Sequence, residues 1–174
     1  MWNHTCLCLD AFARRRTGDA DEDLIVGLAV LCHDFGKPAT TCRIRGHIRS
    51  LGHDEAGVAP TLSFLRRLTN EERILREVPP LVQCHMQPFA LWRARAGDAA
   101  IRRLAMKVTR IDRLLRVAAA APKPILMGRD LIAMGYKPSA QFGKWLDACF
   151  EAQLDGAFSD HAGALAWFKE NVLK

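Results

Sequence analysis

Long apolar runs are missing from this chain. The longest, residues 24–32, is nine residues, less than half of the about 20 that a membrane-spanning helix needs. Met1-Trp2-Asn3-His4 leads straight into helical spacing with no signal-peptide pattern, so a cytoplasmic protein with no membrane partner is expected. Cysteines in Cys-x-x-Cys spacing are missing too. The six cysteines fall mostly in apolar segments, which speaks for small core residues of a reduced protein and against a disulfide framework or a zinc ribbon. There is no phosphate-cradling glycine loop, no dinucleotide-binding turn and no Ser-His-Asp order. Redox and acyl-transfer chemistry therefore lack their usual apparatus. No internal repeat or low-complexity tract is present.

What is present is ordinary in amount. With 174 residues, 49% hydrophobic and 25% charged, the chain is one domain or one domain with a small appendage. It can bury roughly 70% of its unfolded surface without disulfide or metal support. The formal net charge of +6 suits a polyanionic partner, nucleic acid or nucleotide.

Helical periodicity runs from end to end, and the expected fold class is all-α. Asn3 stands as N-cap of a first helix with His4, Leu7, Cys8, Ala11 and Phe12 at helical spacing. Asp19, Asp21, Glu22 and Asp23 open a second helix. A magnesium-binding set would need a preceding Gly-Ser turn and strands, so these acids read as capping a helix N-terminus. The stripe Leu24, Leu28, Leu31 and Phe35, with Ile25 and Cys32 beside it, then makes this helix a core element leading to His33-Asp34, where Gly36 and Pro38 stop it. Residues 40–50 read as a short exposed hairpin with His47 solvated. Gly52-His53 opens a helix with the stripe Val58, Leu62, Leu65 and Leu68. Thr69 and Glu72 have capping-box spacing, and Ile74, Val78, Leu81 and Val82 lead to His85, with Pro79-Pro80 expected to kink or restart the helix. Ile101, Leu104, Val108, Ile111 and Leu115 predict one amphipathic helix whose opposite, arginine-rich side is a solvated face, with Asp112 in an ion pair. Ala118-Ala119-Ala120-Ala121-Pro122-Lys123-Pro124 is the one boundary. It divides residues 1–121 from a helical C-terminal extension, 122–174, that ends in a pair of helices.

His33-Asp34 alone has two explanations. Either Asp34 caps a neighbour and His33 is a hydrogen-bonded core residue, or both side chains, diverging by about 100°, reach one ion beside the helix end. The other histidines decide between them. His4, His33, His53 and His85 occupy buried or helix-end positions on four different helices, with Asp34 beside them. Imidazoles and a carboxylate suit one or two divalent ions with open coordination positions, and Lys37 suits a phosphate oxygen. That pattern favours phosphoester hydrolysis.

These residues carry a resemblance. His4, then His33-Asp34 in His-Asp-x-Gly-Lys, then Gly52-His53, then His85 resembles the HD superfamily of metal-dependent phosphohydrolases. Within it, the chain is similar to the HD region of bacterial CCA-adding tRNA nucleotidyltransferases and poly(A) polymerases. Trp2-Asn3-His4-Thr5, the run Cys32 to Pro38, Gly52-His53-Asp54-Glu55-Ala56-Gly57, and Gly128-Arg129-Asp130-Leu131-Ile132 through Pro138 all match that branch. The resemblance implies an HD-type helical bundle with a small helical extension. It implies metal ligands at His4, His33, Asp34, His53 and His85, with Asp34 bridging two ions, Asp34 and Lys37 serving catalysis, and Lys37 binding substrate phosphate. The implied cofactor is a divalent metal (Ni, Mn, Mg, Fe or Zn). The implied substrates are nucleotide or RNA-end phosphoesters such as 2′,3′-cyclic phosphates, with tRNA as a partner. The alternative it carries is a catalytically silent RNA-binding body of a tRNA nucleotidyltransferase. Two departures accompany it. The family's nucleotidyltransferase head is not in these residues, so this stretch is expected to be a portion of a longer enzyme and not to add nucleotides alone. The late aspartate of HD sites is also missing: alanines and a proline stand at Val117 to Pro122, and Asp112 lies half a helical circle away.

Overall fold

The computed structural model describes residues 2–44 and 47–173, without the side chain of His47. The fold is all-α with one small hairpin. Its elements are α1 (Trp2–Ala13), α2 (Ala20–Cys32), α3 (Lys37–Thr40), β1 (Thr41–Ile44), β2 (His47–Ser50), α4 (His53–Ala56), α5 (Val58–Arg66), α6 (Glu72–Cys84), α7 (Gln87–Arg93), α8 (Asp98–Ala105), α9 (Ile111–Ala119), α10 (Gly128–Ala133), α11 (Ala140–Leu154) and α12 (His161–Asn171). β1 and β2 pair antiparallel, Thr41 opposite Ser50 and Ile44 opposite His47. The expectation that the His47 ring is solvated lies outside the described residues.

The chain divides into two compact units, one formed by Cys8–Ala121, the other by Met1–Leu7 with Pro122–Lys174. In the larger unit, α2 packs against α6 and α9, and α6 also packs against α4 and α5. Ile25, Val26, Ala29 and Val30 of α2 meet Val78, Leu81 and Val82 of α6 and Leu114 of α9 in one buried cluster. Of the residues expected to make α2 a core element, Ile25 and Cys32 are fully buried and Leu28, Leu31 and Phe35 pack against the cluster, while Leu24 is exposed. The apolar run of α2 is continuous enough that either face could have been chosen. Glu22 and Asp23, in its first turn, face cations.

Those cations come from α9. Arg113, itself buried, bonds both Glu22 of α2 (Nε to Oε2, 2.8 Å) and the buried Glu77 of α6, and Arg116 bonds Asp23. The arginine face predicted to be solvated is therefore partly an internal ion network tying three helices together. Arg110 pairs with the exposed Asp112, as expected for that acid. Asp19 caps α2, accepting from the N–H groups of Asp21 and Glu22, and Asp23 accepts from Thr17 and Gly18. The acids do cap the helix.

Four local expectations need correction. Asn3 lies inside α1 instead of capping it, and its amide donates to the Asp155 carbonyl. Thr69 and Glu72 form no capping box: Glu71 is the N-cap of α6, and the Thr69 hydroxyl accepts from the Glu71 N–H in a local turn. Pro79 and Pro80 do not restart the helix and sit inside α6. Residues 101–115 form two helices, α8 and α9, separated by 106–110, and α7 precedes them where no helix was expected. Leu68, Ile101 and Leu115 are correspondingly exposed.

The smaller unit is an aromatic cluster. Trp145 of α11 packs edge-on against Tyr136 and the fully buried Phe168 of α12 and is stacked on Phe142. The two final helices are present as expected. Gln153 of α11 fastens the entering strand of chain, accepting from Ile125 N–H and donating to the Lys123 carbonyl.

Candidate metal centre

Two helix ends and one helix start converge in the larger unit. α2 runs out at Cys32 with His33 at its C-cap, and α6 runs out at Cys84 with His85 at its C-cap. α4 begins at His53 after Gly52, whose φ of 75° is the left-handed backbone that glycine adopts freely. Gly36 brings the first and third pieces together. A Cβ there would lie 2.0 Å from the His53 carbonyl oxygen and 2.6 Å from the Gly57 nitrogen. The backbones around Gly36 and α4 touch at a distance no side chain permits, and this close approach sets His53 against Asp34.

Each of these imidazoles is held in the same way. The Nδ1 of His33 lies 2.7 Å from the Val30 carbonyl, that of His53 2.7 Å from the Ser50 carbonyl, and that of His85 2.7 Å from the Val82 carbonyl. A carbonyl only accepts, so each Nδ1 carries a proton, and it is Nε2 that each ring turns inward. The inward atoms crowd. His53 Nε2 is 3.3 Å from His85 Nε2 and 3.5 Å from Asp34 Oδ1, and His33 Nε2 is 3.3 Å from Asp34 Oδ2. Lys37 Nζ bonds the same Oδ2 at 2.7 Å. Asp34 is only 3% exposed, and His33 and His85 are buried.

Asp34, His53 and His85 place ligand atoms within 4.8 Å of one another, and so do Cys8 and His33. Acceptors this close are stable only with positive charge among them. A proton is one source, but burial drives the His85 imidazolium pKa down to about 4, which leaves that ring neutral near pH 7. Lys37 already sets one positive charge against the Asp34 carboxylate, and a divalent cation among the Nε2 atoms is a further source. Nitrogen donors fixed through their far nitrogens, plus one carboxylate, make a donor set suited to it.

Of the residues singled out from the sequence, His33, Asp34, Lys37, His53 and His85 share this site. His4 lies on α1 one turn ahead of Cys8, on the same face of that helix. Cys8 is the residue that periodicity reads only as core, although its i, i+4 spacing from His4 is a ligand spacing. Burial raises its thiol pKa to about 12, with the Asp34 carboxylate adding to the effect. Asp112, paired with Arg110 at the surface, supplies no late carboxylate, and α9 ends in alanines.

The fold and site define an all-α chain with a buried histidine–aspartate cluster fixed at helix ends. The chain is 28% identical over 183 aligned residues to the A-adding tRNA nucleotidyltransferase of Deinococcus radiodurans, an alignment taking in 85% of this chain and 42% of that protein. This chain thus spans less than half the length of that relative. No family model matches the chain, and no solved structure matches it. No helix among the described residues is long and apolar enough to cross a membrane.

Proposed function

We propose that residues 1–121 form an HD-type metal-dependent phosphohydrolase domain acting on nucleotide or RNA-end phosphoesters, within a tRNA nucleotidyltransferase-like enzyme. The observation that carries this reading is the convergence of the His53 and His85 Nε2 atoms on the Asp34 carboxylate, with each ring fixed through Nδ1. His33, Asp34, His53 and His85 would hold the ion, with His4 from α1 as a further ligand. When bound, a divalent ion supplies Lewis-acid polarisation of a phosphoryl oxygen and lowers the pKa of a water.

The chain's own residues do the rest. The carbonyls of Val30, Ser50 and Val82 fix the ring tautomers and orientations. Asp34 sits between the histidines and Lys37, so it links the ion position to the cation that meets the substrate. Lys37, partly exposed while Asp34 is not, is the group positioned to exchange its carboxylate contact for a phosphate oxygen. The test is hydrolysis of 2′,3′-cyclic AMP followed by chromatography. Chelator-sensitive turnover that disappears in Asp34→Ala supports the reading. Turnover that survives that substitution defeats it.

A second reading, an RNA-holding body whose HD site is silent, is favoured by the similarity to the A-adding tRNA nucleotidyltransferase over 85% of the chain and by the missing late carboxylate. It predicts salt-sensitive tRNA binding that survives the double change His33→Ala, Asp34→Ala. Loss of binding in that variant, with helicity unchanged, counts against it.

A further inference from the structure

α9 uses its arginines internally; α7 and α8 do not. Arg113 and Arg116 are committed to Glu22, Glu77 and Asp23, and Arg110 to Asp112. By contrast Arg93, Arg95, Arg102, Arg103 and Lys107 make no ion pair among the described residues, and Asp98 is the lone acid between residues 86 and 111. The same stretch of sequence carries two exposed rings, Trp92 at 75% and Phe89 at 57% exposure, their centroids 5.9 Å apart. Beside them opens a groove of about 490 Å³ lined by Leu91, Trp92, Arg95, Ile101, Leu104 and Leu115.

The backbone at Arg95 adds an independent point. Three helices end with paired bonds in which the residue after the C-cap donates to a carbonyl three back and the next residue to one five back, the Schellman arrangement. At α10 these are Gly135 to Ile132 and Tyr136 to Leu131; in α11 they are Gly156 to Gln153 and Ala157 to Ala152. At α7 they are Arg95 to Trp92 and Ala96 to Leu91. The left-handed residue is glycine in the first two (φ 91° and 81°) and arginine in the third (φ 50°), the only positive-φ non-glycine among the described residues. Glycine would be easier there for the backbone. Arg95 lines the groove at the expense of the cap.

We propose that Trp92 and Arg95, at the end of α7, form a binding site for single-stranded RNA, with a base stacked on Trp92 and Phe89 in the mouth of the groove and its phosphates on Arg95, Arg102 and Arg103. An occupant of this surface must bring both flat apolar faces and negative charge. Single-stranded nucleic acid has both in every repeat, and stacking on exposed aromatics beside arginine is how such strands are held without base-specific hydrogen bonds. The inference deepens the RNA-holding reading, on which its partner class rests, and is independent of the histidine–aspartate cluster.

The test is fluorescence anisotropy with the full chain and a labelled uridine oligomer of about ten nucleotides, a length within the usual single-strand site sizes. A ribose-phosphate oligomer lacking bases, an RNA duplex and intact tRNA are measured alongside. Trp92→Ala is expected to weaken oligomer binding about tenfold or more, with Trp92→Phe restoring most of it. Arg95→Gly is expected to weaken binding while leaving Tm unchanged or raised, a pairing of signs that a merely structural arginine would not produce. Arg102→Gln with Arg103→Gln should reduce the salt slope by about 1.4, two single-strand phosphates' worth. Wild-type affinity in both Trp92→Ala and Arg95→Gly overturns the proposal, as does equal affinity for the oligomer without bases, or competition by an acidic amphipathic peptide with no RNA binding. If those variants behave like wild type while tRNA still binds in a salt-sensitive way, the RNA-holding reading survives without this site. If the wild-type chain binds no RNA at all, both fall.

Discussion

Adding one methyl group at Gly36 should take the histidine–aspartate cluster apart while leaving its residues in place. In Gly36→Ala the new Cβ would fall 2.0 Å from the His53 carbonyl oxygen, where real contacts are essentially never under 3.0 Å, so α4 must retreat by about 1 Å. The obstruction is backbone on both sides, since the Gly57 nitrogen stands 2.6 Å away, and no rotamer change relieves it. Overpacking of this kind costs about 1–3 kcal/mol of stability. The displaced residue is His53, whose Nε2 sits 3.3 Å from His85 and 3.5 Å from Asp34. A misplacement near 1 Å is enough to cost about a hundredfold in a site that depends on geometry. Calorimetric Ni²⁺ titration of Gly36→Ala should therefore show affinity reduced by about that factor, with a lowered Tm and unchanged helicity. Gly143→Ala is the control: beyond its chain neighbours and its own helix backbone nothing lies within 4 Å of the added Cβ, it sits inside α11, and it should gain about 0.5–1 kcal/mol. Wild-type Tm and Ni²⁺ affinity in Gly36→Ala would refute the reasoning.

Arg113→Met should lower stability by about 3–5 kcal/mol in urea unfolding, because it strands Glu77 and Glu22 between α2, α6 and α9; a loss below about 1 kcal/mol would show the network to be incidental. The Arg113 bond holds the Glu22 carboxyl below its usual 4.5, and at Glu77 burial opposes ionisation but the Arg113 and Arg76 bonds outweigh it. Depressed carboxyls stabilise the fold above their unfolded value and lose that contribution as pH falls through the lower folded value. Tm should thus decline from about pH 4.5 downward, and Glu77→Gln should flatten part of that decline. Cys8, with its thiol pushed up to about 12 by burial, should resist iodoacetamide at about pH 8 while the exposed Cys42 reacts, as peptide mass mapping would show.

Helix-end chemistry was readable because it is local. Gly36 and Pro38 mark where α2 must stop, and the apolar spacing from Ile74 to His85 puts His85 on the face of α6 that turns inward. Those two facts place three of the site's side chains without any knowledge of the fold. The break between α8 and α9 was not readable, since Leu104, Val108 and Ile111 keep helical spacing across a segment the backbone leaves. The ion network was hidden for a related reason. Arg113 lies 36 residues from Glu77 and 91 from Glu22, and nothing in a basic helix face distinguishes the arginine that turns inward from those that stay in water. Gly36 was legible as a helix stop but not as the point where two backbones meet, because its partner at Gly57 is fixed only once α4 has folded back.

Metal analysis of the chain purified without chelator is the most direct measurement. A metal centre at this cluster predicts close to one equivalent or more of a divalent transition metal by mass spectrometry, lost when His53 and His85 are both changed to Ala. Less than about a tenth of an equivalent, with no gain on adding Ni²⁺ or Mn²⁺, would contradict it.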